Sequence, residues 1–314
     1  MSRSGLPLMP DTLGSTMLTA VLSLTGAFVF GAADFLGGIA AKRIGAVLAT
    51  AVAALAGFIG LAVATPLSGG AWTVADLWWG AAAGVAGAVA IGLLYACLAI
   101  GPMSILSPLT AVVSAIVPML WGLATGARLG PLAPWALGLA LVAVVLVGFV
   151  PERGAVRPSI TGIVMGVGSG TAIGAFFILI DRTSDESGLA PLTVNSAVTA
   201  AVMFALVGGL ALRMRAKRPR MPRADEPADT AIVARDRARG IRLAVVGGLV
   251  NAAANALILF GIRAGELAIA AVLGAMYPAG TILLAAIVLK ERIAPVQWAG
   301  LVLALASAAM LAVA

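Results

Sequence analysis

GELAIAAVLGAMYPAGTILLAAIVLKERIAPVQWAGLVLALASAAMLAVA, residues 265–314, decides the fold. Two apolar runs, Glu266 to Leu289 and Ala294 to Val313, flank a charged turn, Lys290-Glu291-Arg292. An α-helix rises about 1.5 Å per residue, so each run is long enough to cross about 30 Å of hydrocarbon. The stretch is a transmembrane hairpin. Residues 101–148, GPMSILSPLTAVVSAIVPMLWGLATGARLGPLAPWALGLALVAVVLVG, follow the same plan. With the two turns aligned, Gly101 falls on Gly265, Ala111 on Ala275, Arg128 on Arg292 and Pro131 on Pro295. The hairpin is repeated within the chain.

Composition agrees with a membrane protein. Apolar residues make up 61% of the 314 and charged residues 11%, with a mean hydropathy of +1.09. Soluble domains carry about 25% charged residues. Apolar stretches of about 18 residues or more recur about ten times, which leaves little chain for a soluble domain. Barrel strands alternate over about ten residues, whereas these runs are unbroken, so the fold expected is an all-α membrane protein with ten transmembrane helices. There is no histidine, and the single cysteine, Cys97, lies within a predicted span. Intrachain disulfides, histidine-based zinc sites and histidine proton relays are therefore excluded, and no metal or cofactor is expected. No Gly-Lys-Ser/Thr phosphate loop is present, so the chain itself does not use ATP. The net charge of +7 does not imply nucleic acid, because the basic residues sit in membrane loops.

The first span, about Met17 to Ala41, is too long for the apolar part of a signal peptide and contains Asp34 about two turns before Lys42-Arg43. The second runs from Gly45 to Leu67. The third, Asp76 to Ile100, is rich in small residues. The fourth, Met103 to Thr125, holds Ser104, Ser107, Pro108, Thr110, Ser114 and Pro118; its prolines free backbone carbonyls that neighbours or water must satisfy. The fifth, Pro134 to Val150, has no hydrogen-bonding side chain after Trp135, which fits a helix facing lipid or another subunit. The sixth, Ser159 to Ile180, carries Gly162, Gly166, Gly170 and Gly174 on one face, a pattern for close helix packing in lipid. The seventh, Pro191 to Leu212, opens with Thr193, Asn195, Ser196 and Thr199. Residues 213–240 form the one long polar stretch, read as a mostly disordered basic loop with three prolines. The eighth span, Arg242 to Ile262, places Asn251 and Asn255 one turn apart.

Connections after spans 1, 5, 7 and 9 hold sixteen of the twenty Lys and Arg residues, and the other side holds Arg3, Arg128, Arg182 and Arg263. By this count both termini lie outside. Five spans in each half, residues 1–150 and 151–314, make an odd number. The second copy must then enter the bilayer from the opposite side, giving an inverted repeat of the kind secondary transporters use, with the site at the repeat interface near the midplane.

Tyr277-Pro278, then Leu289-Lys290-Glu291-Arg292-Ile293 and Gln297-Trp298-Ala299-Gly300, resemble the second-repeat signature of the EamA family of the drug/metabolite transporter superfamily. GAADFLGG, Gly31 to Gly38, resembles the first helix of its bacterial members. The resemblance covers nearly the whole chain. It implies that helices 1–4 and 6–9 surround a central cavity with 5 and 10 peripheral. It also implies cytoplasmic termini, opposite to the charge count. Ala127 stands where the family pattern has the glutamate that corresponds to Glu291.

Asp34 is the sharpest candidate, because a carboxylate inside a span is costly unless paired, hydrated or protonated. It can carry protons as a coupling ion or meet a cationic substrate; the structural alternatives are pairing with Lys42 or Arg43, or capping a helix end. Asn251 and Asn255 can bind a solute or bond neighbouring helices. Tyr277 and Thr281 sit beside Pro278, where a kink would open carbonyls to a cavity. Ser107, Ser114, Ser169, Thr171 and Asn195 complete the candidate substrate-binding set, although small polar side chains often bond their own backbone. The expected function is a secondary transporter of small metabolites or drugs in the cytoplasmic membrane, exporting by alternating access, as a monomer or homodimer. The alternatives are an uptake carrier of the same fold, or a channel or structural membrane partner. A membrane enzyme lacks the convergent acids, bases or ligands it would need.

Overall fold

The computed structural model describes residues 12–100, 103–126, 130–148, 159–217, 227–288, 290 and 294–312. Among them there is no strand. The helices are α1 (Thr12–Ile44), α2 (Ala46–Ser68), α3 (Val74–Ile100), α4 (Met103–Ala124), α5 (Ala133–Gly148), α6 (Ile160–Asp181), α7 (Ala190–Lys217), α8 (Pro227–Ala264), α9 (Leu267–Gly274), α10 (Tyr277–Val288) and α11 (Pro295–Ala312). By length and composition, seven helical segments among the described residues can cross a membrane: α1, α2, α3, α6, α7, α8 and the joined α9–α10. Helices α4, α5 and α11 are apolar over shorter segments.

The span α9–α10 is interrupted for a chemical reason. Pro278 has no N–H to donate to the carbonyl of Gly274, and its ring crowds that carbonyl. The chain tightens ahead of it, with the Met276 N–H on Leu273 O at 3.1 Å and the Ala279 N–H on Met276 O at 2.9 Å. The break follows Gly274 and α10 begins at Tyr277.

Small residues set the helix contacts, as expected where lipid gives no hydrophobic drive to association. The glycine stripe of α6 packs along α4, with Gly162 against Leu106, Gly166 against Thr110, Gly170 against Thr110 and Val113, and Gly174 against Val117 and Pro118. The matching order makes α4 and α6 parallel. Helices α3 and α7 are parallel through Gly80, Gly84 and Gly87, which meet Pro191, Asn195 and Thr199 in turn. Helices α2 and α8 are parallel through Ala53 with Gly248 and Gly57 with Ala252. Helices α1 and α8 are antiparallel, with Thr19 at Gly265, Ser23 at Gly261, Gly37 at Gly247 and Ile44 at Gly240. The other principal pairs are α3 with α6, α2 with α7, α1 with α9 and α10, α4 with α9, and α5 with α11.

One expectation needs correction and another is extended. The stretch 213–240 is not all loop: α7 continues to Lys217 and α8 begins at Pro227. Proline suits the first turn of a helix, and the alanine- and arginine-rich sequence after it favours helix. At 38 residues, α8 is about 57 Å long and outreaches about 30 Å of hydrocarbon, so its first third projects past the apolar layer. There Arg43, in the last turn of α1, pairs with Asp236. Helix α5, expected to face lipid or another subunit, has a second face that is fully used within the chain. Ala133, Ala136, Leu137, Ala140, Ala143 and Val144 are buried in one cluster with Ala304, Ala308 and Leu311 of α11. The alanine spacing, invisible to a search for polar side chains, allows the two backbones to approach.

Gly170 is closely enclosed, since an added Cβ would lie 2.7 Å from both the Thr110 carbonyl oxygen and the Val113 Cβ. Gly170→Leu is expected to destabilise the bundle by about 1–3 kcal/mol, read as a lower midpoint in detergent thermal unfolding. Gly208→Ala, where nothing lies within 4 Å, is expected to be neutral or stabilising by up to about 1 kcal/mol.

Candidate functional site

The interrupted span meets α1 at its break. Gly31 of α1 lies on the backbone of Tyr277, Gly280 and Thr281, and an added Cβ at Gly280 would come 2.6 Å from the Phe28 carbonyl oxygen. Only glycines permit this approach. The Thr281 hydroxyl donates to the Gly31 carbonyl at 3.2 Å and reaches the Tyr277 carbonyl at 3.4 Å. The Tyr277 ring lies 6.1 Å from that of Phe30, tilted by 46°. Asp34 follows Phe30 by one turn and is within electrostatic range of Tyr277.

Asp34 keeps an accessible surface although it sits well inside α1 and is densely surrounded by neighbouring protein atoms. Successive residues turn by about 100° in a helix, so Asp34 points roughly 180° away from the exposed residues Leu18 and Thr25 and about as far from Gly14. Its exposure is therefore to the interior of the bundle, together with Gly38, not to the lipid-facing stripe. On α8, Asn251 and Asn255 are half-buried and face away from the exposed stripe of Val246, Leu249 and Phe260. The antiparallel register of α1 and α8 puts Asn251 at the depth of Ala33 and Asn255 near that of Val29. Asp34, Asn251, Asn255, Tyr277 and Thr281 thus share one level. Asn255 donates its amide N–H to the Asn251 carbonyl at 2.9 Å.

The remaining candidates are arranged differently. The Ser114 hydroxyl is buried and donates to Ala111 O at 2.8 Å. Ser169 is buried and joins α6 to α3 through Ala90 O at 2.8 Å. Thr171 returns its hydroxyl to Val167 O at 2.8 Å and lies on the exposed stripe of Val164 and Val167, turned away from the Asp34 level. Asn195 is buried against α3, and its Oδ1 has no hydrogen-bond partner among the described residues. The side chains of Ser107 and Cys97 lie outside the described residues, as do Glu291 and Arg292.

One polar cluster was not expected. At the end where α2, α6 and α8 finish, Asp76 is buried and accepts from the backbone N–H groups of Thr73 and Ser184, each at 2.7 Å. The hydroxyls of Thr73 and Ser184 add bonds at 2.8 and 3.1 Å. Arg263 donates to Gly188 O at 2.9 Å, Ser184 O at 3.0 Å and Ser187 Oγ at 2.7 Å. The Thr65 and Thr193 hydroxyls, 2.7 Å apart, join α2 to α7 beside it. A cavity of about 220 Å³, lined by Asp181, Thr183, Asp185 and Arg263, lies at this end. Thr73-Val74-Ala75-Asp76 is a capping-box pattern ahead of an apolar run, a signal that the sequence does offer. Nothing comparable marks the partners of Arg263, which come from a loop about 75 residues away.

Among the described residues no group of three or more His, Cys, Asp or Glu side chains could hold a metal. A model described as the EamA-like transporter family matches residues 160–313. No curated protein matches the chain. A protein of known crystal structure is similar with a TM-score of 0.67 at 16% sequence identity, covering 93% of this chain and 97% of that one, a likeness of fold alone. With its second half carrying the match, this multi-pass membrane chain belongs to the EamA family of the drug/metabolite transporter superfamily, a family of membrane transporters.

Proposed function

We propose that the chain is a secondary transporter of small metabolites or drugs in the cytoplasmic membrane, working as an exporter by alternating access, with protons as the coupling ion. Two repeats, residues 1–150 and 151–314, surround the site with opposite topology. The helix pairing supports this. Exchanging α1–α5 for α6, α7, α8, α9–α10 and α11 turns α1 with α8 into α6 with α3, and α2 with α8 into α7 with α3. The pairing of α4 with α6 becomes that of α9–α10 with α1, and α2 with α7, α4 with α9 and α5 with α11 map onto themselves. The parallel and antiparallel contacts alternate as they must if every span crosses once, so counterpart helices, five spans apart, point in opposite senses.

The observation that carries the reading is Asp34, exposed on the interior face of α1 beside a broken span. A helix break at the repeat interface lets backbone carbonyls and a carboxylate face a solute without exposing either to lipid. The residues assigned to substrate are Asp34, Asn251, Asn255, Tyr277 and Thr281. Ser114, Ser169 and Thr171 serve the helices that hold them. Asn195 lies in the seam between α7 and α3, nearer the Thr65 and Thr193 contact, and is not assigned to the substrate. Asp34 accepts and releases the coupling proton, and its charge state changes which side of the bundle is favoured.

The Arg263 and Asp76 cluster ties both halves together at one end and is the closed gate of this conformation. Opening that end requires the Thr65 to Thr193 contact to part.

Reconstituted Asp34→Asn is expected to lose roughly tenfold or more of gradient-driven accumulation in proteoliposomes, because a neutral amide cannot carry the proton. Unchanged accumulation removes Asp34 from the coupling. In a cysteine-free background, with Cys97 replaced, the double substitution Thr65→Cys and Thr193→Cys is expected to stop solute counterflow when oxidised and to recover on reduction. Full counterflow in the cross-linked state shows that this end does not open.

A further inference from the structure

The proposed site has a charge pattern that selects among solutes. Among the described residues, Asp34 is the one charged side chain that lies inside an apolar run and not at its edge. The nearest cations along α1, Lys42 and Arg43, lie about two turns further on, at the helix end, where Arg43 is held by Asp236. Arg263 is in the last turn of α8 and donates to four loop groups. Among the described residues no basic side chain therefore stands at the level of Asp34 to receive an anionic group of a solute.

The first turn of α10 does not replace it. A helix N-terminus can bind a carboxylate through free N–H groups. Here Pro278 has none, the Ala279 N–H is taken by Met276 O, and Gly280 is pressed on Phe28. What adjoins the carboxylate instead is aromatic. Phe30, one turn away on the same face of α1, meets Tyr277 at 6.1 Å between ring centroids, and Phe30 also packs against the cluster that contains Phe177. An aromatic face attracts an organic cation, and a carboxylate beside it neutralises the charge.

We infer that this site takes organic cations of single positive charge with an aromatic or other apolar body. The ammonium group meets Asp34 and the body lies against Phe30 and Tyr277. The inference rests on the transporter reading for the location of the site, and it excludes anions and disfavours zwitterions, whose carboxylate would be left without a partner in a low-dielectric interior. Specificity then arises from what the site lacks as much as from what it holds.

The test uses the full-length protein and three probes with a common aryl group: benzyltrimethylammonium, phenylalanine and phenylacetate. Equilibrium binding in detergent is expected to favour benzyltrimethylammonium by roughly tenfold or more over the other two. Asp34→Asn is expected to weaken that binding by roughly tenfold or more, and Asp34→Glu to restore it to within about threefold of the wild type. Phe30→Leu is expected to cost the aryl cation a few-fold more than it costs tetramethylammonium, which provides a readout should Asp34→Asn fail to fold. Equal or tighter binding of phenylalanine or phenylacetate, or full cation affinity in Asp34→Asn, overturns the inference. Counterflow in proteoliposomes separates this from the transporter reading. If phenylalanine or phenylacetate counterflows and the cation does not, the selectivity is wrong while transport stands. If the cation binds with the predicted Asp34 dependence and no probe counterflows, the selectivity stands and the transporter reading falls.

Discussion

The contact on which the candidate site depends is the meeting of two backbones at Gly31 and Gly280. A side chain at either position would strike the opposite main chain. Because neither has one, α1 can lie against the broken span, Thr281 can donate to the Gly31 carbonyl, and Phe30 can touch Tyr277. Each of these follows from the distance between the helices. Asp34 is held one turn beyond the contact, and its exposure to the interior depends on α1 remaining seated there. Widening this contact by a methyl group would move a carboxylate, two aromatic rings and a threonine together.

The same economy of side-chain volume holds the rest of the bundle. Within lipid, apolar side chains gain little from leaving the solvent, so close packing and satisfied polar groups decide which helices associate. Glycine and alanine supply the packing: the four glycines of α6 along α4, the three of α3 along α7, and the alanine face of α5 on α11. Hydroxyl groups bond carbonyls within or across these seams, as Thr110 does with Gly166 O at 3.2 Å and Thr199 with Gly84 O at 3.1 Å. Smooth seams of this kind resist lateral separation of the helices but offer little obstacle to sliding along their axes. The polar cluster at Asp76 and Arg263 is of another kind, because its hydrogen bonds must break as a group, and it fixes one end while the seams stay compliant.

Part of this was legible in the sequence. Apolar run lengths located the helices, seven of which among the described residues are long and apolar enough to cross a membrane, and Pro278 marked the place where the ninth predicted span is interrupted. Asp34 could be singled out because its chemistry is improbable in an apolar run. Other features depend on facts that a linear reading does not contain. Whether Ser169 faces a solute or the Ala90 carbonyl is decided by how closely α3 and α6 approach, and Thr171, only two residues on, points in another direction altogether. The partners of Arg263 come from a loop that becomes a neighbour only when the helices have packed. The projecting start of α8 was hidden by a basic, proline-bearing sequence that reads as disordered, although alanine and arginine after Pro227 favour helix.

The central claim is that the level of Asp34 and Asn251 is a watery interior bounded by helix faces, with lipid on the other side of the same helices. Thiol reactivity at two neighbouring positions of α8 tests it most directly, since maleimides react with the hydrated thiolate and not with a thiol in hydrocarbon. In a protein with Cys97 replaced, Asn251→Cys and Ala253→Cys lie at nearly the same depth but roughly 200° apart around the helix. The account predicts that a small water-soluble maleimide modifies Asn251→Cys in membranes and leaves Ala253→Cys unmodified. Equal protection of both, or modification of Ala253→Cys alone, would contradict it.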